Sequence, residues 1–156
     1  MGLKPKPVRD SQIEVTHIVQ PTHTNALGTI FGGHLMAWID TAAAIGAERH
    51  ARRVCVTASM DDLHFLAPVR AGNIVILKAS VNYTHRTSME VGVKAEGEDP
   101  LTGRRWHTAS AYLTFVAIDR KCRPVPLPPV RPQSPAEKRR FREAGERRNL
   151  RLARRP

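Results

Sequence analysis

Residues Pro21 to Glu48 read PTHTNALGTIFGGHLMAWIDTAAAIGAE, and this segment is the most informative part of the chain about its fold. A polar loop passes through Gly32 and Gly33 into an almost wholly apolar segment, which is typical of a buried helix. Before Glu48, the only acid in this helix is Asp40. A buried charge without a partner costs several kcal/mol, so we expect Asp40 to be paired, neutralised or used in chemistry.

Five segments around this helix have the composition of β strands. One precedes it at 13–18, and four follow it at 54–65, 73–84, 88–98 and 105–118. The short link His85-Arg86-Thr87 predicts a hairpin between the third and fourth of these segments. The pattern predicts an α+β fold in which an antiparallel sheet of about five strands wraps round one long central helix. Because the helix has no polar stripe, we expect it to be covered on nearly all sides.

Length and composition exclude several classes of protein. A chain of 156 residues with 41% hydrophobic content suits a single core. No apolar stretch reaches the roughly 20 residues that span a bilayer, and the amino terminus lacks the apolar region of a secretory signal, so we expect a cytoplasmic protein and no membrane partner. Neither the two cysteines nor the seven histidines have the spacing of a metal site, and we predict no metal.

Most of the net charge of +11 lies in the last 26 residues. This tail holds ten Lys or Arg against three Glu, while residues 1–130 hold 15 basic and 11 acidic residues. No helix-turn-helix or RNA-binding motif accompanies the charges, so we do not expect nucleic acid to be a partner of the tail. A basic surface would also attract an anionic substrate.

The tail also has the start pattern of a helix. Ser134 is a suitable cap, Pro135 suits the first turn, and Glu137 completes a capping box. The proline-rich segment CRPVPLPPVRP comes just before it and ends the preceding sheet. We therefore predict a domain over 1–130 and a basic, helical carboxyl-terminal extension over 131–156, which we expect to be a peripheral arm partly ordered by docking on a neighbour.

Four motifs in register resemble those of a known family. They are HTNALGTIFGGHLMAWID, VTASMDDLHFLAPVRAGNIV, RTSMEV and SAYLTFVAID. Over about residues 11–130 the chain resembles the acyl-CoA thioesterases of the hotdog fold, and in particular the bacterial and brain-type acyl-CoA hydrolases. The resemblance implies one hotdog domain, hydrolysis of acyl-CoA to a free carboxylic acid and CoA, and a homo-oligomer built from dimers, commonly a trimer of dimers. CoA is then part of the substrate and product, and no separate cofactor is implied.

The resemblance also implies roles for particular residues. Asn25 and Asp40 match an asparagine and an aspartate that act together from different hotdog units. Asn25 would orient the water or hold the thioester, and Asp40 would act as general base or as nucleophile, two mechanisms that the sequence does not separate. Arg86, Thr87 and Ser88 match the family's RTS motif and would bind the CoA phosphates.

The chemistry of the helix start agrees with these roles. A thioester carbonyl needs hydrogen-bond donors for its developing oxyanion, and the free amides at a helix start provide them, with Gly33 leaving room for the substrate. Asp40 lies seven residues further on, about 10 Å along the axis at roughly 1.5 Å per residue, which is too far to serve the same carbonyl. Two antiparallel helices across a dimer would bring the Asp40 of one chain to the helix start of the other.

Plainer interpretations and other functions stay open. Asn25 suits a turn, Asp40 could be a satisfied core acid, and Arg86 could be an exposed turn residue. His23 and His34 flank the proposed site, which keeps open a hotdog enoyl-acyl hydratase or dehydratase, since these enzymes pair a histidine with an acid. A non-catalytic CoA-binding or nucleic-acid-binding hotdog is the remaining alternative.

Overall fold

The computed structural model describes residues 2–155 of the chain. The strands are β1 (Lys6–Pro7), β2 (Ile13–Ile18), β3 (Val54–Phe65), β4 (Ile74–Thr84), β5 (Ser88–Glu98), β6 (Arg105–Ile118) and β7 (Val130–Arg131). The helices are α1 (Gly32–Ala51) and α2 (Pro135–Ala153), with short 3-10 helices at Val8–Ser11 and Pro21–His23. Within residues 2–155, neither long helix combines the length and the apolar character needed to cross a membrane.

The main sheet has the strand order β2-β4-β5-β6-β3, and every pair in it is antiparallel. A tight link joins β4 to β5, where His85 N donates to Ser88 O at 2.8 Å. This architecture confirms the predicted α+β class, the five antiparallel strands and the long helix that packs against their sheet. The strands β1 and β7 form a separate parallel pair, which holds the amino-terminal residues beside the chain that follows β6.

The inner face of the sheet covers one side of α1. The buried side of the helix consists of Leu35, Ile39, Ala42, Ala43, Gly46, Ala47, His50 and Ala51. The other side is open in the single chain, where Met36, Ala37 and Thr41 are exposed and Asp40 is half-buried. The expectation that α1 is covered on nearly all sides, with Asp40 buried, is therefore wrong within one chain. One sheet covers only one side of a helix. The sequence does not distinguish small apolar residues that pack against the chain's own sheet from those that are left exposed in the single chain.

The carboxyl-terminal helix α2 packs on the outer face of its own sheet. Its predicted start is confirmed, because Ser134 Oγ accepts from Glu137 N at 3.1 Å in a reciprocal capping box. The ring of Phe141 lies 4.8 Å from that of Tyr83 on β4. Arg147 pairs with Glu90 on β5 through contacts of 2.8 and 3.0 Å. The helix is thus attached to this chain's sheet, by charged as well as apolar residues.

The strand register decides what lies at the two ends of the sheet. Ile18 pairs with Ile74, so β2 ends where β4 begins, and the loop that leads to the start of α1 lies at this end. The hairpin of β4 and β5 lies at the other end, where α1 finishes and β3 starts. Since β4 has eleven residues, the two ends are about 33 Å apart at roughly 3.3 Å per residue.

Candidate active site

The start of α1 presents two amides that the helix itself does not use. The cap residue is Phe31, whose side chain makes no capping hydrogen bond, and the first helical donors are His34 and Leu35, which bond to Phe31 O at 3.0 and 3.2 Å. The amides of Gly32 and Gly33 precede these donors and point along the positive end of the helix dipole. They can therefore stabilise a negatively charged oxygen.

Both glycines are closely approached by aromatic rings. A β-carbon built on Gly33 would lie 2.6 Å from the ring of Phe31, and one built on Gly32 would lie 3.4 Å from the ring of Phe65. Phe31 and Phe65 are themselves about half exposed. The absence of side chains at the two glycines thus lets these rings lie over the helix start, next to the two free amides.

Asn25 lies in the loop before α1, and its side-chain oxygen is fully used. This oxygen accepts from Leu27 N at 2.9 Å, Thr29 N at 3.3 Å and Thr29 Oγ1 at 3.1 Å. Two of these donors are backbone amides, which fixes the oxygen on their side and leaves the Nδ2 amide group facing away. Asn25 is therefore a turn residue, as its plainer interpretation holds, and it also offers two N–H groups to a ligand.

Asp40 projects from the open side of α1 and is held by a strand residue. Its Oδ1 accepts from Thr57 Oγ1 on β3 at 2.7 Å. Among the hydrogen bonds of residues 2–155, this is the only one that the Asp40 side chain makes. The second carboxylate oxygen is thus free to take a proton or to attack a carbonyl.

Thr57 was not among the residues predicted from the sequence. A signal was present, because only Arg52 and Arg53 separate α1 from β3, and so tight a link places the first residues of β3 beside the helix. A hydroxyl on the helix-facing side of that strand is a candidate partner for a helix acid. What the sequence could not show is which strand residue faces Asp40.

The structure does not bring Asn25 and Asp40 together in one chain. They share no hydrogen bond in the described part of the chain, and each has its own partner, Thr29 for Asn25 and Thr57 for Asp40. Gly33 lies near Asn25. Phe31 N, two residues before Gly33, donates to His23 O, two residues before Asn25. The residues predicted as catalytic therefore fall into two groups.

The predicted CoA-binding residues lie at the far end of the sheet from Asn25. Arg86 and Thr87 form the β4–β5 link, and their carbonyl oxygens accept from Leu127 N at 3.1 Å and Ala117 N at 3.0 Å. The Arg86 side chain is exposed. A groove of about 390 Å³, which Arg86 and Leu127 help to line, runs beside the link. The backbone is thus fixed while the guanidinium remains free to bind.

The same hairpin is level with the acid. Thr57 on β3 pairs with Phe115 on β6, and Phe115 pairs with Met89 on β5. Thr57 and the start of β5 are therefore at the same level of the sheet, with β6 between them. At about 4.8 Å per strand this separation is roughly 10 Å. Within one chain, Arg86 is therefore associated with Asp40 and not with Asn25.

The possible metal ligands and the grooves of the chain indicate no second candidate for the active site. Within residues 2–155, no group of three or more His, Cys, Asp or Glu side chains is arranged to hold a metal, and the absence of a metal stays a prediction. A groove of about 700 Å³ lies on the outer face of the sheet between Lys78, Tyr112 and Arg139, away from both α1 groups. In the single chain neither the Asn25 group nor the Asp40 group lies in an enclosed pocket among those described.

Comparison with protein families and known proteins gives one consistent result. The model of the thioesterase superfamily matches residues 27–103. An uncharacterized acyl-CoA thioester hydrolase of Bacillus subtilis is 44% identical over 83% of this chain and 75% of its own length. The mouse acyl-coenzyme A thioesterase 11 is 42% identical over 91% of this chain, which spans only 24% of that relative's length.

Solved structures extend the comparison to the whole fold. An acyl-CoA hydrolase of Bacillus cereus is similar with a TM-score of 0.93 and 41% identity, covering 97% of this chain and 92% of that one. A hexameric acyl-CoA thioesterase has a TM-score of 0.92 and 41% identity, covering 98% of this chain and all of that one. The acyl-CoA hydrolase of Staphylococcus aureus, solved with butyryl-CoA and CoA, has a TM-score of 0.89 and 40% identity, covering 96% and 91%. It was also solved with an asparagine, an aspartate or a threonine changed to alanine, at positions separated by 15 and then 17 residues.

Proposed function

The chain belongs to the acyl-CoA hydrolase group of the hotdog-fold thioesterase superfamily, and on that premise we propose that it hydrolyses acyl-CoA at sites shared between two subunits. The family predicted from the four motifs is confirmed. The observation that carries the proposal is that the donors for an oxyanion and the acid for attack lie in separate places on one chain. We call Asn25 with the amides of Gly32 and Gly33 the donor half, and Asp40 with Thr57 the acid half.

The donor half binds the thioester carbonyl. The oxygen of this carbonyl accepts hydrogen bonds from the Gly33 amide at the positive end of α1 and from Nδ2 of Asn25. The side-chain oxygen of Asn25 is already hydrogen-bonded within the loop. Of the two roles expected for Asn25, holding the thioester group is therefore the one we propose. Such donors act most strongly on the oxyanion of the tetrahedral intermediate, where the negative charge is greatest.

The acid half activates the attack. Asp40, oriented by the Thr57 hydroxyl, takes a proton from a water molecule, and the water oxygen bonds to the carbonyl carbon. When the carbon–sulfur bond breaks, the thiolate of CoA leaves and receives the proton, so the products are a carboxylic acid and CoA. The alternative is direct attack by Asp40 to give an acyl-aspartyl anhydride, which water then hydrolyses. Labelling of Asp40 by water enriched in oxygen-18 during turnover would identify the anhydride route.

A second copy of the chain completes the site. The open side of α1 carries Asp40 between exposed residues such as Met36 and Thr41, and apolar side chains including Phe31 and Phe65 are half exposed near the helix start. Exposed apolar surface of this kind marks an interface. An antiparallel neighbour helix would place each acid half against the other chain's donor half. The similar acyl-CoA thioesterase solved as a hexamer supports a homo-oligomer, and a trimer of dimers is the arrangement we propose.

The spacing of substituted residues in the Staphylococcus aureus enzyme supports the same assignment. Its asparagine, aspartate and threonine are separated by 15 and 17 residues. Asn25, Asp40 and Thr57 have the same order and the same separations. The match includes Thr57, which was identified from the geometry of Asp40 alone.

The β4–β5 hairpin is the proposed binding place for the phosphates of CoA. Arg86 is exposed on a link whose backbone is fixed by two hydrogen bonds, and a guanidinium pairs well with phosphate oxygens. Thr87 and Ser88 add hydroxyl groups beside it. Because this hairpin is level with Asp40, it would bind the CoA whose thioester lies between that Asp40 and the partner's donor half. The cytoplasmic location expected from the sequence stays a prediction.

Release of thiol from acyl-CoA tests the proposal. Purified protein is incubated with acyl-CoA esters from acetyl to palmitoyl, and with crotonyl-CoA. We expect free CoA thiol and free acid from at least one chain length. Loss of the enoyl absorbance of crotonyl-CoA without free thiol would instead identify a hydratase, and binding of CoA esters without any turnover would identify a non-catalytic protein.

A further inference from the structure

The chain between β2 and the donor half is held by a histidine. Residues Pro21–His23 form a 3-10 turn with a reciprocal cap. Gln20 N donates to His23 Nδ1 at 2.9 Å, and the main-chain oxygen of Gln20 accepts from His23 N at 2.9 Å. One ring nitrogen of His23 is therefore a hydrogen-bond acceptor within the backbone structure.

This contact requires a neutral ring. A neutral imidazole has one donor nitrogen and one acceptor nitrogen, whereas a protonated imidazolium has two donors and no acceptor. Since His23 Nδ1 accepts from a backbone amide, the proton of the neutral ring lies on Nε2. Protonation of Nδ1 would set two N–H groups against each other and open the cap.

His23 closes the loop that carries Asn25. Its carbonyl oxygen accepts from Phe31 N at 2.8 Å, and Thr24 pairs with Ile30 in an antiparallel bridge one step further in. Inside that bridge, Asn25 N donates to Thr29 O at 2.9 Å. The loop is thus a small hairpin, with His23 and the residue that caps α1 at its base.

The ring of His23 also contacts the first two turns of α1. It lies edge-on to Trp38 at 5.0 Å and 5.2 Å from the ring of His34, while His17 of β2 stacks on Trp38 at 4.3 Å. Burial and the charge of nearby His23 lower the pKa of His17. Among the described residues, His23 makes no ion pair with a carboxylate within 4.0 Å, and the titratable ring in contact with it is that of His34.

We propose that His23 is a positioning residue whose neutral ring holds Asn25 in register with the Gly33 amide, so that protonation of this ring loosens the donor half and lowers turnover. The inference rests on the proposed hydrolysis, in which Asn25 and the helix start act on one carbonyl. It goes beyond that function because it assigns the acid limb of the pH profile to a residue outside both the donor half and the acid half. Misplacement of a reacting group by about 1 Å is enough to lower the rate substantially.

Two substitutions separate the acceptor from the titration. His23→Asn places an amide oxygen close to the position of Nδ1, where it can accept from Gln20 N. The asparagine side chain does not titrate between about pH 5.5 and about pH 8, the range in which imidazoles titrate. His23→Ala removes the acceptor. We expect kcat/KM of His23→Ala to fall on the order of tenfold across this range. His23→Asn should recover most of that loss and should lack the fall in activity toward acid pH that we expect of the wild type.

Matched controls make the result specific. His107, whose Nε2 contacts Ala109 O and Ser110 Oγ in its own strand, is changed to Asn, and this variant should keep the wild-type pH profile. A wild-type acid limb in His23→Asn, or its loss in His17→Asn instead, would overturn the proposal. Failure of the wild type to hydrolyse any acyl-CoA at pH 8 would refute the proposed function, which is a different outcome.

A measurement on the wild-type protein covers variants that fail to fold. Nitrogen-15 NMR of the histidine rings at about pH 8 reports which nitrogen carries the proton. We expect His23 to be the Nε2–H tautomer, with Nδ1 shifted as a hydrogen-bond acceptor. The Nδ1–H tautomer would show that the cap does not form, and the proposal would fail.

Discussion

The donor half and the acid half each include residues of α1, yet they are built in different ways. The donor half consists of main-chain amides and an asparagine whose oxygen is bound three times within its own loop. The acid half is a single carboxylate on the open side of α1, held by one hydroxyl from β3. One half has donors without an acid, and the other has an acid without donors. A well-ordered chain can therefore hold two prepared parts of a site and still have no complete site.

Removing either half should cost the most activity. We expect Asp40→Asn and Asn25→Ala each to lower turnover by about 10² or more, because one removes the base or nucleophile and the other removes an oxyanion donor. Thiol release measures the effect, and circular dichroism with size-exclusion chromatography checks that fold and assembly are kept. Near-wild-type turnover in Asp40→Asn would mean that the acid half is not part of the reaction.

The orientation of the acid should matter less than its presence. Thr57→Val removes the hydroxyl that donates to Asp40 Oδ1 while keeping a branched side chain, and we expect kcat to fall roughly tenfold, about 1.4 kcal/mol. Thr57→Ser keeps the hydroxyl and is the matched control, so it should stay close to the wild type. Equal losses in both variants would show that packing at this position, and not the hydrogen bond, is what Asp40 needs.

Loss of a contact to the CoA phosphates should have the smallest effect on activity. Arg86→Gln removes an exposed guanidinium, and we expect KM for acyl-CoA to rise roughly fivefold, about 1 kcal/mol, with kcat little changed. The matched control is an N-acetylcysteamine thioester with the same acyl group, which lacks phosphates and should have the same KM with both proteins. A similar rise for that substrate would place Arg86 outside phosphate binding.

Much of the fold could be predicted from local pattern. The alternating strands, the tight link at 85–87 and the capping box at Ser134 and Glu137 each depend on residues close in sequence, and each is confirmed. The place of α2 could not be predicted in this way. Arg147 has the sequence context of a solvated charge, but it pairs with Glu90 and lies 3.7 Å from the ring centre of Tyr112, contacts that exist only after the sheet has formed.

The site, like the fold, could be predicted only where it depends on local sequence. The resemblance supplied Asn25, Asp40 and the Arg86 hairpin, and the helix rise alone separated Gly33 from Asp40. The sequence could not show that the Asn25 oxygen is bound within its loop, or that Thr57 is the residue facing Asp40. Both facts depend on side-chain direction, which periodicity does not determine. The open side of α1 was missed because alanine suits a buried face and an interface equally.

Subunit exchange between two inactive variants tests the shared site most directly. Asp40→Asn and Asn25→Ala proteins carrying different tags are mixed in equal amounts, exchanged under mild denaturant, and checked by mass for mixed dimers. A mixed dimer has one intact site, with Asn25 from one chain and Asp40 from the other, so random exchange should restore about one quarter of wild-type turnover. No recovery after verified exchange would show that Asn25 and Asp40 act from a single chain, which would contradict a site shared between two subunits.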